Sequence, residues 1–155
     1  MEVRVGLGFD SHEFEEGKTL FLGGVKIEGH RGLKGHSDGD ALLHAITDAL
    51  LGAVGEGDIG EIFSDEDLRW KGASSRVFLE EALKRVREKG FEVVNVDCII
   101  VADSPKISPI KGAIRERIAS LMGISPERVS VKGKRREGFS REEGISCICT
   151  VLLMR

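Results

Sequence analysis

The C-terminal segment Ile145-Ser146-Cys147-Ile148-Cys149-Thr150-Val151-Leu152-Leu153 is strand-length and carries apolar residues at both odd and even positions. That property constrains the fold more than any other. Successive strand side chains point to opposite faces, so a strand apolar at both parities needs cover on both sides of its sheet. The run from Phe91 to Val101 has the same character near its end, as a central strand would. Val3, Val5, Leu7 and Phe9 alternate with polar or small residues, the pattern of a half-buried strand. A second strand is predicted from Thr19 to Ile27, with Gly23-Gly24 marking a bulge or close approach. Val129 to Lys132 supplies a further one.

Three helices separate these strands. Asp40 to Val54 is long and mostly apolar, with Ser37 or Asp38 as its cap and Gly55 at its left-handed stop. Ser74 or Ser75 opens an amphipathic helix with Phe78, Ala82, Leu83 and Val86 inward, closed by Gly90. Pro109, at a first helical position, starts a third with Ile110, Ile114, Ile118 and Leu121 on one face. The order β-β-α-α-β-α-β-β has few helices for so many apolar strands. It predicts an α/β (α+β) two-layer sandwich whose mixed four-stranded sheet carries helices on one face. A homo-oligomer would cover the other face.

With 155 residues and 41% hydrophobic content, positions 1–155 are expected to form a single domain with a core of its own. A net charge of −3 argues against a charge-driven nucleic-acid binder or a membrane-surface protein. No apolar run reaches the roughly 18 residues of a membrane span, and Met1 to Val5 reads as strand rather than leader, so a cytoplasmic location is expected. Cys98, Cys147 and Cys149 sit in apolar stretches as buried free thiols; a metal role for Cys147-x-Cys149 lacks the partners to complete four ligands.

Asp10 and His12 follow the first strand two residues apart, a spacing that points both side chains the same way. The pair is either a satisfied loop contact or two ligands for one cation. His44 lies mid-helix among Leu42, Leu43, Ala45 and Ile46, in a polar seam with Asp40 and Asp48 at i−4 and i+4. It is either a core histidine held by those aspartates or a metal ligand whose second ring nitrogen is oriented by a carboxylate. Two histidines, one carboxylate and an open fourth position form a common catalytic zinc arrangement. Upstream, His36-Ser37-Asp38-Gly39-Asp40 leads into the helix, where an anion site competes with ordinary capping. Lys132-Gly133-Lys134-Arg135-Arg136 is a solvated face, a diphosphate clamp or an RNA patch. The RNA reading lacks stacking aromatics, since the chain has no Tyr and one Trp.

Together these segments resemble the 2-C-methyl-D-erythritol 2,4-cyclodiphosphate synthases of non-mevalonate isoprenoid synthesis. The likeness covers nearly the whole chain, through Gly8-Phe9-Asp10-Ser11-His12, His36 to Asp40, His44 to Gly52, Gly57-Asp58-Ile59-Gly60, Phe63-Ser64-Asp65, Trp70 to Ala73, Ser104-Pro105-Lys106 and Glu143-Gly144-Ile145. The resemblance implies a lyase that cyclises a cytidine diphosphate-linked substrate and releases CMP. It implies zinc, or Mn or Mg, held by Asp10, His12 and His44, and a second Mg or Mn carried by Glu137. His36 and Ser37 would hold the attacking phosphate, and Asp58, Gly60 and Asp65 the methylerythritol. Ala102, Pro105, Lys106 and Ile107 would meet the cytidine, with Lys132, Lys134 and Arg141 near the phosphates. It also implies a homotrimer with active sites between subunits, and neither nucleic acid nor membrane as partner. The segment from Gly133 to Phe139 departs from the family pattern by lacking its threonines; Lys134, Arg135 or Arg136 would replace their contact electrostatically. A metal-dependent phosphohydrolase on the same scaffold, activating water with the same ligands, is the alternative.

Overall fold

The computed structural model describes residues 1–140 and 143–155, so Arg141 lies outside the described residues. Strands β1 (Val3–Leu22) and β2 (Val25–Leu33) precede helix α1 (Ala41–Ala53) and the single turn α2 (Ile59–Ile62). Helix α3 (Ser75–Glu88), strand β3 (Glu92–Val101) and helix α4 (Lys111–Met122) follow, and β4 (Val129–Lys134) and β5 (Gly144–Met154) end the chain. All five strands join one sheet in the order β2-β1-β5-β3-β4, rather than the four expected. β3 and β4 are parallel and the other pairs antiparallel, so the sheet is mixed as predicted.

The apolar cover is on one side only. Ile145, Cys147, Cys149, Val151 and Leu153 of β5 point inward, with Val96, Cys98 and Ile100 of β3 and Val129 and Val131 of β4 beside them. The cysteines are free, and burial pushes the thiols of Cys147 and Cys149 well above their ordinary range.

The alternation in β1 faces the opposite way from the usual pattern. Val3, Val5, Leu7 and Phe9 are 58–68% exposed, while Gly6 and Gly8 face the helices. A Cβ built on Gly6 would lie 1.8 Å from the Ala49 carbonyl oxygen, and one on Gly8 1.8 Å from that of Ala45. The glycines therefore let α1 lie directly on the strand. Leu42, Leu43, Ile46, Leu50 and Leu51 of α1 are at most 1% exposed. Each stabilises the packing by about 1.5–3 kcal/mol relative to an exposed side chain.

Gly23 and Gly24 are the turn between β1 and β2, not a bulge within one strand; both have positive φ. Their N–H groups donate to Asp40 at 3.0 and 2.7 Å, and Asp40 also accepts from Leu43 N at 3.0 Å. Asp40, rather than Ser37 or Asp38, is thus the cap of α1, because one carboxylate satisfies the helix end and the hairpin turn together. Pro109 falls in the turn before α4, where Ile110 and Lys111 both donate to the Ile107 carbonyl.

Candidate metal centre

The crossing of α1 over β1 creates the site. Two residues along a strand advance about 6.6 Å, nearly the rise of four residues of helix. Gly6 lies under Ala49 and Gly8 under Ala45. The next inward position is Asp10, which arrives beside the first turn of α1 and meets His44. His12, one more step along the same face, completes the group.

His12 Nε2 lies 2.7 Å and His44 Nδ1 3.0 Å from the same oxygen, Asp10 Oδ2. The three ligand atoms lie within 4.8 Å of one another. Burial would raise the Asp10 carboxyl, but hydrogen bonds and charge from His12 and His44 outweigh it and hold the pKa at about 2. Burial would lower His44, and the hydrogen bond and charge of Asp10 outweigh that in turn and raise it. Two imidazole nitrogens and an ionised carboxylate aimed at one point suit zinc or a similar borderline cation. The donor set therefore fits a divalent ion.

Asp40 and Asp48 do not hold His44. Asp40 is spent on the cap, and Asp48 accepts from Ile59 N at 2.8 Å, anchoring α2. His44 Nε2 instead faces Ser75 Oγ at 2.7 Å and Ser37 Oγ at 3.1 Å.

A cavity of about 330 Å³ opens in front of the cluster, and His36, Ser37, Gly60 and Asp65 line it with the three candidate ligands. The loop before α1 is fixed from two sides. Lys18 Nζ donates to the carbonyls of Gly35 and Ser37 at 3.0 and 3.2 Å, and Gly72 N donates to His36 O at 2.8 Å. Phe63, Trp70 and Phe78 pack ring against ring to form an apolar wall. Asp58 stands at the edge of this region, capping α2 through Glu61 N at 2.9 Å.

The remaining candidates form a separate group where β3 and β4 end. Ala102 N donates to Lys134 O at 2.9 Å, and Ile107 covers Gly133, where a Cβ would come within 2.6 Å of it. Pro105 follows a cis peptide bond, and His30 Nε2 lies 3.0 Å from Ser104 Oγ. Lys132 pairs with Asp97 at 3.0 Å. Arg136, whose side chain is only 8% exposed, donates to Gly144 O at 2.8 Å and pairs with Asp103 at 3.6 Å. It is a structural tie, so of the three basic residues named for the clamp only Lys134 and Arg135 are exposed. Glu137 and Gly138 have φ of 54° and 76° and, with Phe139 N donating to Arg136 O, make a tight exposed turn. None of Ala102, Pro105, Lys106, Ile107, Lys132, Lys134 or Glu137 lines the metal cavity.

Sequence reasoning missed Lys18, the aromatic wall and the link from His44 to Ser75. The pair Ser74-Ser75 was legible only as a helix start, which Ser74 does supply.

Comparisons with known proteins find relatives along nearly the whole chain. The model of the YgbB family matches residues 3–154. The 2-C-methyl-D-erythritol 2,4-cyclodiphosphate synthase of Aquifex aeolicus (strain VF5) is 66% identical over 155 residues, covering 100% of this chain and 99% of that protein. Its counterpart in Koribacter versatilis (strain Ellin345) is 53% identical, with 97% of each chain covered. A solved synthase structure described as the CDP-bound form superposes with a TM-score of 0.91 at 40% identity, covering 97% of this chain and 100% of that one.

Proposed function

The chain belongs to the YgbB family, and from that premise we propose how its residues divide the work of the family's reaction. It is a 2-C-methyl-D-erythritol 2,4-cyclodiphosphate synthase, converting 4-diphosphocytidyl-2-C-methyl-D-erythritol 2-phosphate to the cyclic diphosphate and CMP. The substrate's 2-phosphate attacks its own β-phosphorus, and the bond from that phosphorus to the CMP oxygen breaks. No protein nucleophile is required, so positioning and charge neutralisation carry the rate.

The observation that carries the assignment of the site is the convergence of His12 and His44 on Asp10 in a cavity that His36, Ser37, Gly60 and Asp65 share. Asp10, His12 and His44 would hold zinc, or Mn or Mg, and Glu137 would carry a second Mg or Mn; the chemistry such ions would supply is neutralisation of the diphosphate charge. His36 and Ser37 hold the attacking phosphate in line. Asp58, Gly60 and Asp65 receive the methylerythritol hydroxyls. Ala102, Pro105, Lys106 and Ile107 hold the cytidine end. Lys132, Lys134, Arg135 and Arg141 contribute positive charge near the leaving phosphate.

These two groups occupy different parts of one chain, and a homotrimer unites them by placing the nucleotide group of one subunit against the metal cavity of the next. The bare sheet face supports that assembly. Val3, Val5, Leu7 and Phe9 form a contiguous exposed apolar stripe along β1. Such a surface is usually an interface. The whole of 1–155 serves as one synthase domain. Among the described residues no helix is long and apolar enough to cross a membrane.

Phosphorus NMR of the purified protein with substrate and Mg²⁺, beside a His44→Ala sample, tests this reading. CMP and a cyclic diphosphate are expected from wild type alone. Open-chain diphosphate or inorganic phosphate would make the chemistry hydrolytic and overturn it.

A further inference from the structure

Behind the three ligands runs a second chain of contacts, from Asp38 through Ser75 to His44. Ser75 is the first residue of α3 and is 0% exposed. Its hydroxyl donates to Asp38 Oδ1 in a very short hydrogen bond, and its oxygen lies 2.7 Å from His44 Nε2. Asp38 is itself immobilised, accepting Ser75 N at 2.9 Å and Asp40 N at 3.0 Å. The cap of α3 is Ser74, which accepts from Arg76 N. The Ser75 hydroxyl therefore has no capping duty, and an alanine there would serve the helix better.

An ionised carboxylate only accepts hydrogen bonds. The Ser75 hydrogen is therefore committed to Asp38, and Ser75 Oγ presents a lone pair to the imidazole. The hydrogen between Ser75 and His44 must then be the ring's own, on Nε2. A neutral imidazole with its hydrogen on Nε2 has its lone pair on Nδ1, the atom that faces Asp10. Ser37 Oγ, 3.1 Å from Nε2, stands on the same side and further limits rotation of the ring.

We propose that Asp38 and Ser75 are positioning residues that fix the tautomer and ring plane of His44, so that Nδ1 is presented as a metal ligand. The inference rests on the reading of Asp10, His12 and His44 as the metal site. It extends that site to a carboxylate–hydroxyl–imidazole chain, in which a carboxylate orients the ligand at one remove. It also gives a reason for the loop before α1 to be locked to the start of α3.

The test is zinc binding, measured by competition with a chromophoric chelator at pH 7, together with nitrogen NMR of the His44 ring in the zinc-loaded protein. Wild type is expected to bind one Zn²⁺ that His44→Ala does not bind at this cluster. Ser75→Ala is expected to weaken it by about 10- to 100-fold, the usual cost of losing such a partner. Asp38→Asn should do at least as much, because an amide can donate to Ser75 Oγ and turn the hydroxyl hydrogen onto Nε2. A Val131→Ala variant, buried away from the site, controls for lost stability and should leave zinc affinity unchanged. In wild type the His44 hydrogen should be on Nε2. Zinc affinities within twofold of wild type in folded Ser75→Ala and Asp38→Asn would overturn the inference and leave the metal reading standing. So would a His44 hydrogen on Nδ1, an observation that needs no variant. If wild type bound no zinc at Asp10, His12 and His44, the metal reading would fall and this inference with it.

Discussion

The candidate metal cavity and the Lys132-to-Phe139 segment are built by opposite means. Asp10 and His44 are set by a helix lying on a strand through two glycines, with the helix start capped by a fully buried carboxylate. Their partners are buried or half-buried and come from β1, the loop before α1, and α3. The basic segment is mostly exposed; Lys132 to Lys134 are held in the β3–β4 ladder, and beyond it Arg136 bridges Asp103 and the Gly144 carbonyl. The first region is preformed within a single chain. The second offers charge and a tight turn, and of its residues Arg136 alone lines a cavity there, one shared with Ser11 to Phe14, Glu143 and Gly144 among the described residues. Rigid ligands suit a cation that demands fixed geometry; an exposed clamp suits a ligand presented by another surface.

That contrast predicts different consequences for equivalent damage. His44→Ala should have the largest effect, removing the bound cation and about 100- to 1,000-fold of turnover, as loss of a main electrostatic stabiliser does. Isothermal titration and CMP release would show whether both fall together; metal binding without His44 would break the assignment. Gly8→Ala comes next. Its Cβ would collide with the Ala45 carbonyl, so α1 must lift from β1 at a cost of about 3 kcal/mol or more, and zinc affinity should fall although no ligand has changed. Gly133→Ala, the matched change in the other region, meets only the Ile107 side chain and should cost about 1–2 kcal/mol. It should raise KM for the nucleotide substrate and spare zinc. Thermal melts beside zinc titrations would separate the two, and equal effects on zinc would erase the distinction.

Much of this was legible in the sequence because it lay in local pattern. The ligand spacing Asp10-x-His12, a histidine inside an apolar helix, and strands apolar on both faces each carry their meaning within a few residues. Other features were hidden for a physical reason. In β1 the residues under the helix are glycines, so alternation marks the correct period while hydrophobicity marks the outer face. Asp40 and Asp48 share a helical stripe with His44, yet long-range backbone donors, Gly23, Gly24 and Ile59, claim both carboxylates. The Ser75 link joins positions 31 residues apart in the chain, and no local periodicity announces it.

Smaller effects sharpen the comparison further. In the metal-free protein His44 is raised, so the stability from its pair with Asp10 is full below about pH 6.5 and is lost as pH rises through the raised value. Asp10 is depressed to about 2, and its share persists above about pH 4 and is lost as pH falls towards 2. Zinc requires unprotonated rings, so its stabilisation in a thermal melt should grow from pH 5.5 to 8. A pH-independent zinc shift would exclude the imidazoles as ligands. Lys134→Glu with Arg135→Glu should have the least effect on the fold, raising KM roughly tenfold in a salt-dependent way while leaving zinc binding and melting intact. Unchanged substrate affinity would remove the clamp.

The most direct measurement mixes two impaired proteins, His44→Ala and the Lys134→Glu, Arg135→Glu, Lys132→Glu triple variant, after dissociation and reassembly, and reads CMP release at substrate well below the wild-type KM, where the KM defect shows in full. If the metal half of one subunit faces the nucleotide half of the next, as proposed, one interface in four pairs two intact halves, and activity should return to about a quarter of wild type. If mixing restores nothing while each variant still assembles, the two halves must serve the same chain, contradicting the shared site.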